Sequence, residues 1–288
     1  MNSVVETALI TAAARARESA RKDALFNDPY ALYMAGKDGI RMLENFERAV
    51  PEVSGLIPAV IRTYFIDNQL KSIADNYDFD QVVLLGCGMD TRAFRTNYLS
   101  SGYESKNRSS LIAFYELDHP ELIRSKNTRL LAHNIYSPFK RVAIGCDLAS
   151  DDLHELLITN GLNPDLRTVW IAEGLFIYLE ESSVHRLLEQ VTTLSFKGSF
   201  FLCDLINTSL ASDKATEPLR HYLATSGFPM KYANDDPTEI LNQYGWYADI
   251  YTLRDTMRHI DRFSNMLSST STSTVSSGDA YLVSAVRK

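Results

Sequence analysis

The chain is poor in cysteine. Its 288 residues hold three, Cys87, Cys146 and Cys203, far apart and odd in number. No CxxC or Cys/His spacing is present, which argues against a disulfide framework and a structural zinc site. Each thiol sits in or beside an apolar run and reads as a small buried hydrophobe in a reducing compartment. Long apolar runs are missing too, and none approaches the roughly 20 residues that cross a bilayer. The first residues carry Glu6 and no basic segment ahead of an apolar one, a poor match to a signal peptide. The expected location is therefore the cytoplasm, with no membrane partner. Positive charge is also in deficit: 29 Lys and Arg stand against 36 Asp and Glu, a net charge of −7. An acidic surface argues against nucleic acid as a partner, because phosphate binding needs a basic face.

What is present is an ordered alternation. Residues 3–20 carry an apolar stripe at Val4, Val5, Ala8, Leu9 and Ala12 that predicts a helix. The stretch "FNDPYALYMAGKDG" predicts a short second helix with Asp28 as cap, Pro29 in the first turn and Gly36 as stop. A third helix is predicted from Ile57 to Ala74. The pattern then changes. "QVVLLG" (81–86), "LIAFYEL" (111–117), "RVAIGC" (141–146), "TVWIA" (168–172) and "SFFLCDLI" (199–206) are short apolar runs. Helical stretches at 91–99, 120–133, 151–160 and 181–195 separate them, the third capped by Ser150 and stopped by Gly161. This alternation predicts an α/β fold with a parallel sheet covered on both faces. "WYADIYTL" (246–253) and "AYLVSAVR" (280–287) predict a late antiparallel addition at the sheet edge. Residues 207–245, polar and aromatic, could fold over the sheet as a lid, and Ser/Thr-rich 264–279 reads as a mobile loop. The expected organisation is a single domain: a helical cap over 1–76, a cofactor-binding core over 77–206, a lid or substrate insertion over 207–245, and C-terminal strands over 246–288.

Ligands of open parallel sheets bind beyond the carboxyl ends of the strands. Four consecutive strands end here in glycine or carboxylate: Gly86-Cys87-Gly88, Glu116-Leu117-Asp118, Asp147-Leu148 and Glu173-Gly174. A dinucleotide site wants a third glycine where this chain has Thr91, and Asp90 intrudes where a diphosphate would lie. A cofactor without phosphate and with positive charge suits the loop better, and S-adenosylmethionine is such a cofactor. Asp118 is then placed to accept from the ribose hydroxyls. Asp147 can accept from the adenine amine while Leu148 covers the ring. Asp90 is expected to order the loop by holding nearby amides or Arg92.

The longer text "VVLLGCGMDTRAFR", "FYELDHPELIRSKN" and "TVWIAEGLFIYL" resembles the leucine carboxyl methyltransferase family. "ETALITAAARARES", "LFNDPYA" and "IRTYFIDNQL" match in the same order, so the resemblance covers roughly residues 5–195. The last 90 residues match weakly. The resemblance implies a Rossmann-like class I methyltransferase fold: a seven-stranded, mostly parallel sheet with helices on both faces, an N-terminal helical cap and a lid insertion. It implies S-adenosyl-L-methionine as cofactor, with S-adenosyl-L-homocysteine as product. It also implies two basic residues from the N-terminal helices on the methionyl carboxylate, and the matching positions are Arg17 and Arg62. Glu173, with Gly174, matches a family glutamate beside the methionyl part. Tyr178 would face the transferred methyl.

Methyl transfer from a sulfonium is a displacement for which the enzyme mainly supplies position and a dry pocket, and no metal is needed. A carboxylate acceptor needs no general base, whereas a phenol or alcohol benefits from one. His119, His185 and His221 are the candidates. His119 reads first as the cap of the helix beginning at Pro120; His185 and His221 are the two expected to reach a substrate. The expected activity is methylation of a hydroxyl or carboxylate on a small-molecule acceptor, a polyketide or other secondary metabolite, with Tyr178 and His221 in catalytic positions. Three alternatives stay open: a protein carboxyl methyltransferase, an NAD-dependent oxidoreductase, and a catalytically silent cofactor-binding protein.

Overall fold

The computed structural model of the protein describes residues 3–51, 56–99, 112–264 and 279–288. Strands β1 (Gln81–Leu85), β2 (Ala113–Asp118), β3 (Lys140–Gly145), β4 (Thr168–Ala172) and β5 (Phe200–Ile206) pair in parallel. Two later strands, β6 (Trp246–Thr252) and β7 (Ala280–Arg287), are antiparallel, and the sheet order is β3-β2-β1-β4-β5-β7-β6. β7 therefore inserts between β5 and β6, and the late pair extends the edge as the two apolar runs predict. The Ser/Thr-rich stretch between them falls almost entirely outside the described residues.

Because β1, β2, β4 and β5 are buried on both faces, alternate residues of each strand feed two separate cores. Val82, Leu84, Phe114, Val169, Ile171 and Leu202 pack on one side. That side is covered by α1 (Ser3–Ser19), α2 (Ala31–Ala49), α3 (Ile57–Asn76) and α5 (Pro120–Ala132). Val83, Leu85, Tyr115, Leu117, Trp170 and Cys203 pack on the other. There α6 (Leu153–Thr159), α7 (Glu181–Thr193) and α10 (Pro237–Gln243) close the core. The remaining helices are short: α4 (Arg92–Arg95) after β1, α8 (Thr208–Ser212) and α9 (Glu217–Thr225) after β5, and α11 (Leu253–Arg258) after β6.

Local expectations were corrected at four points. Gly36 does not stop α2 but kinks it, at φ 60° and ψ −172°, and helix resumes to Ala49 because Leu43 and Phe46 are drawn into the core. Asp28 accepts from Tyr30 N at 3.2 Å, yet its side chain is chiefly a buried ion. The helix expected over 91–99 is interrupted at Thr96 and Asn97, after α4. Asp152 rather than Ser150 caps α6, accepting from Glu155 N at 3.1 Å. Among the described residues no helix is long and apolar enough to cross a membrane, and no cluster of His, Cys, Asp or Glu is set to hold a metal ion.

Candidate active site

A cavity of about 420 Å³ opens over the carboxyl ends of β1, β2 and β4, roofed by α1, α3 and the chain after α9. Its floor is the turn after β1. Gly86 and Gly88 both take positive φ, 66° and 48°. A Cβ on Gly86 would stand 3.0 Å from Leu175 Cδ1, so the turn is tight as well as left-handed. Asp118 at the end of β2 braces it. One carboxylate oxygen accepts from Gly88 N at 2.8 Å and the other from His119 N at 2.7 Å. Burial raises the Asp118 pKa, and these two amides oppose the shift. At the end of β3, Asp147 accepts from Ala149 N at 2.9 Å and Ser150 Oγ at 3.0 Å, with the buried Leu148 beside it.

The opposite end of the cavity is built from charges. Arg62 on α3 donates from Nε to Glu173 at 3.3 Å and from Nη1 to Asp204 at 3.1 Å. Arg15 on α1 donates from Nε to Asp28 at 3.0 Å and from Nη2 to the Met89 carbonyl at 2.6 Å. Both arginines line the cavity, and among the described residues Arg62 Nη2 and Arg15 Nη1 have no hydrogen-bond partner. Glu173 also accepts from Thr63 Oγ1 at 2.8 Å and from Arg92 Nη1 at 2.6 Å. Burial would push Glu173 up, but Arg92, Arg62 and Arg15 overcome it and hold the group at about 2. Asp204 is raised by burial, which Arg62 and the Gly174 amide only partly offset; that amide donates at 2.6 Å. Gly174 takes φ 65°, and a Cβ there would lie 2.7 Å from Arg62 Nη2. Asp90 holds Arg92 twice, accepting from its amide at 2.6 Å and from its guanidinium.

The third wall comes from the chain after β4 and from the segment after β5. Tyr178 stacks edge-on against Phe228, ring centroids 5.9 Å apart, and burial raises the pKa of its phenol. Lys231 pairs with Glu180 at 3.0 Å, and its amide donates to the Ile177 carbonyl at 2.8 Å. The base of this segment is tied down where Thr208 donates to Asp235 from N at 2.8 Å and from Oγ1 at 2.6 Å.

Arg62, Gly86, Cys87, Gly88, Asp118, Asp147, Leu148, Glu173, Gly174 and Tyr178 all line the one cavity. Arg17 and His221 do not. On α1 the cavity-facing residues are Thr7, Ala8, Thr11 and Arg15, which share one helical face. Arg17 is two residues on, about 200° around the helix, and pairs instead with Glu47 of α2 at 2.5 Å. Arg15, not Arg17, is the α1 arginine that lines the cavity. His221 projects from the exposed side of α9, whose buried residue is Leu223, and lies outside the cavity lining. His185 is likewise outside, its Nδ1 2.8 Å from the Tyr244 hydroxyl. His119 lines the rim and stands at the N-terminus of α5 without a side-chain cap bond. The sequence reading missed Asp204 and Lys231. A carboxylate inside the apolar run "SFFLCDLI" was the one signal for Asp204.

Comparison with known proteins identifies the family and the fold. A sequence model described as leucine carboxyl methyltransferase matches residues 8–192. A Frankia alni protein whose name assigns it to the S-adenosyl-L-methionine-dependent methyltransferases is 34% identical over 266 residues, 88% of this chain and 86% of its own. A Streptomyces avermitilis protein assigned in the same way is 32% identical over 88% of this chain and 87% of its own. The fold is shared with a DUF574 family protein from S. avermitilis, at a TM-score of 0.62 and 10% identity over 96% of this chain and 97% of that one. It is also shared with a protein from Thermobifida fusca described as a candidate methyltransferase, at 0.61 and 13% identity over 98% and 94%. The protein thus belongs to the leucine carboxyl methyltransferase family, enzymes that depend on S-adenosylmethionine.

Proposed function

We propose that this chain transfers the methyl group of S-adenosylmethionine to a hydroxyl or carboxylate oxygen of a small-molecule acceptor. One observation carries the cofactor half: the cavity is bipolar. Arg15 and Arg62, each with a guanidinium nitrogen that has no hydrogen-bond partner among the described residues, line it at one end, and Asp118 and Asp147 line it at the other, across a left-handed glycine turn. That donor set suits a ligand with an amino-acid carboxylate at one end, a ribose and adenine at the other, and no phosphate between.

Bound there, S-adenosylmethionine supplies a methyl group already activated on a sulfonium. Arg15 and Arg62 would take the carboxylate, Asp118 the ribose hydroxyls, and Asp147 with Leu148 the adenine. Glu173, held ionised, adds negative charge beside the cationic part. Tyr178, kept neutral by burial, presents a hydroxyl donor where the acceptor would enter. Phe228 and Lys231 line that approach beside Tyr178. Neither His185 nor His221 lines the cavity, and of the three candidate histidines His119 alone stands at its rim. We place the enzyme in the cytoplasm, in keeping with three buried free thiols, and take the whole chain to act as one methyltransferase domain with 207–245 as its lid. The resemblance of "AEGLFIYL" to the bacterial branch supports a secondary metabolite, such as a polyketide, over a protein C-terminus.

Incubation of the protein with methyl-labelled S-adenosylmethionine and a metabolite extract tests this. Label in a low-mass product is the expected outcome. Label confined to protein, released by mild base, would overturn the small-molecule acceptor. Cofactor binding without turnover of any acceptor would overturn transfer itself.

A further inference from the structure

We propose that Arg92, which touches no part of the cavity, is the positioning residue that sets both cofactor-facing arginines; this rests on the cofactor assignment above. Arg92 is 1% exposed, and its guanidinium meets three carboxylates: Asp90, Asp67 at 2.7 Å and Glu173 at 2.6 Å. Through these it joins one continuous chain of alternating charge. On one side Glu173 leads to Arg62 and Asp204. On the other, Asp67 leads to Arg95 at 2.8 Å, Arg95 to Asp28 at 3.8 Å, and Asp28 to Arg15 at 3.0 Å. Both arms of the chain thus contain one of the two arginines that line the cavity, and Arg92 is its branch point.

The chemistry gives the hub a specific task. Arg62 reaches Glu173 only through Nε, because Arg92 holds the other Glu173 oxygen. Without Arg92 both oxygens of Glu173 would be open to Arg62, a bidentate pair that turns Nη2 away from the cavity. At the far end, loss of Arg92 leaves Asp67 to Arg95 alone, which weakens the claim of Arg95 on Asp28 and shifts the anchor of Arg15. Four arginines, 15, 62, 92 and 95, meet five carboxylates, 28, 67, 90, 173 and 204, so the chain carries one excess negative charge. A ligand with net positive charge balances it. The chain also spans α1, α3, α4 and the ends of β4 and β5, so the helical cap and the sheet register on each other through it.

Calorimetry on the full chain tests the proposal with two ligands, S-adenosylhomocysteine and 5′-methylthioadenosine, which lacks the amino-acid end. In Arg92→Met the first is expected to weaken tenfold or more and the second less than threefold, with Arg92→Lys recovering part of the difference. Asp67→Asn, which alters no cavity-lining residue, is expected to weaken S-adenosylhomocysteine three- to tenfold and to leave 5′-methylthioadenosine unchanged; it decides the matter if Arg92→Met does not fold. Equal losses for both ligands, or no loss for either, would overturn the positioning role. A wild-type chain that binds neither ligand would instead overturn the cofactor assignment, and this proposal with it.

Discussion

Glu173→Gln keeps the shape of the residue and removes its charge. The carboxylate accepts from Arg92, Arg62 and Thr63, and its pKa stands at about 2 against an ordinary 4.5. At 1.36 kcal/mol per pKa unit, that depression corresponds to about 3 kcal/mol of folding stability. The sign follows from the direction. A folded-state pKa below the unfolded one contributes stability that is fully present above the unfolded pKa and is lost as pH falls through the folded one. Wild type should therefore exceed Glu173→Gln by about 3 kcal/mol from pH 7 down to about 5. The gap should narrow below 4.5, to about 1.4 kcal/mol at pH 3, and close near pH 2. Urea unfolding of both proteins at pH 7, 5, 4 and 3 reads this directly. A gap that stays constant into acid would place the loss in packing rather than charge. No gap at neutral pH would mean that the three arginines do not overcome the burial of Glu173.

Three further outcomes are expected. Asp118→Ala strips the acceptor from Gly88 N and His119 N and should weaken S-adenosylhomocysteine by about 1–3 kcal/mol by calorimetry, while unchanged affinity would remove Asp118 from the site. Gly174→Ala forces a Cβ to within 2.7 Å of Arg62 Nη2 at a left-handed φ; about 1–2 kcal/mol of stability should go in thermal unfolding, with a larger loss of affinity for S-adenosylhomocysteine than for 5′-methylthioadenosine. Arg17→Ala removes a side chain that is 46% exposed and paired only with Glu47 among the described residues; cofactor affinity should stay within about 0.5 kcal/mol, and a tenfold loss would return Arg17 to the site.

The strands were legible because they are buried on both faces. Such strands are apolar at nearly every position, so "QVVLL", "TVWIA" and "FFLCDLI" stand out without any periodicity argument. Their carboxyl ends were legible for the same reason: the first glycine or carboxylate after an apolar run marks the rim. Asp118, Asp147 and Glu173 came from that rule, and the structure puts them around one cavity. The arginine on α1 was not legible. Arg15 and Arg17 sit in one helix of small residues, "TAAARARES", and which of them looks inward depends on how α1 is rotated over the sheet. The kink at Gly36 was equally open, since glycine can end a helix or bend it, and only the burial of Leu43 and Phe46 decides that helix continues.

The sequence by itself determined the strand order along the chain, the glycine turn and the carboxylate rim, because each follows from burial and backbone conformation within a few residues. Tertiary structure alone decided the ion chain from Arg15 to Asp204. Its members lie as far apart as Arg15 and Asp204 in sequence, no local pattern links them into one network, and what makes them a site is that folding removes water from all of them together.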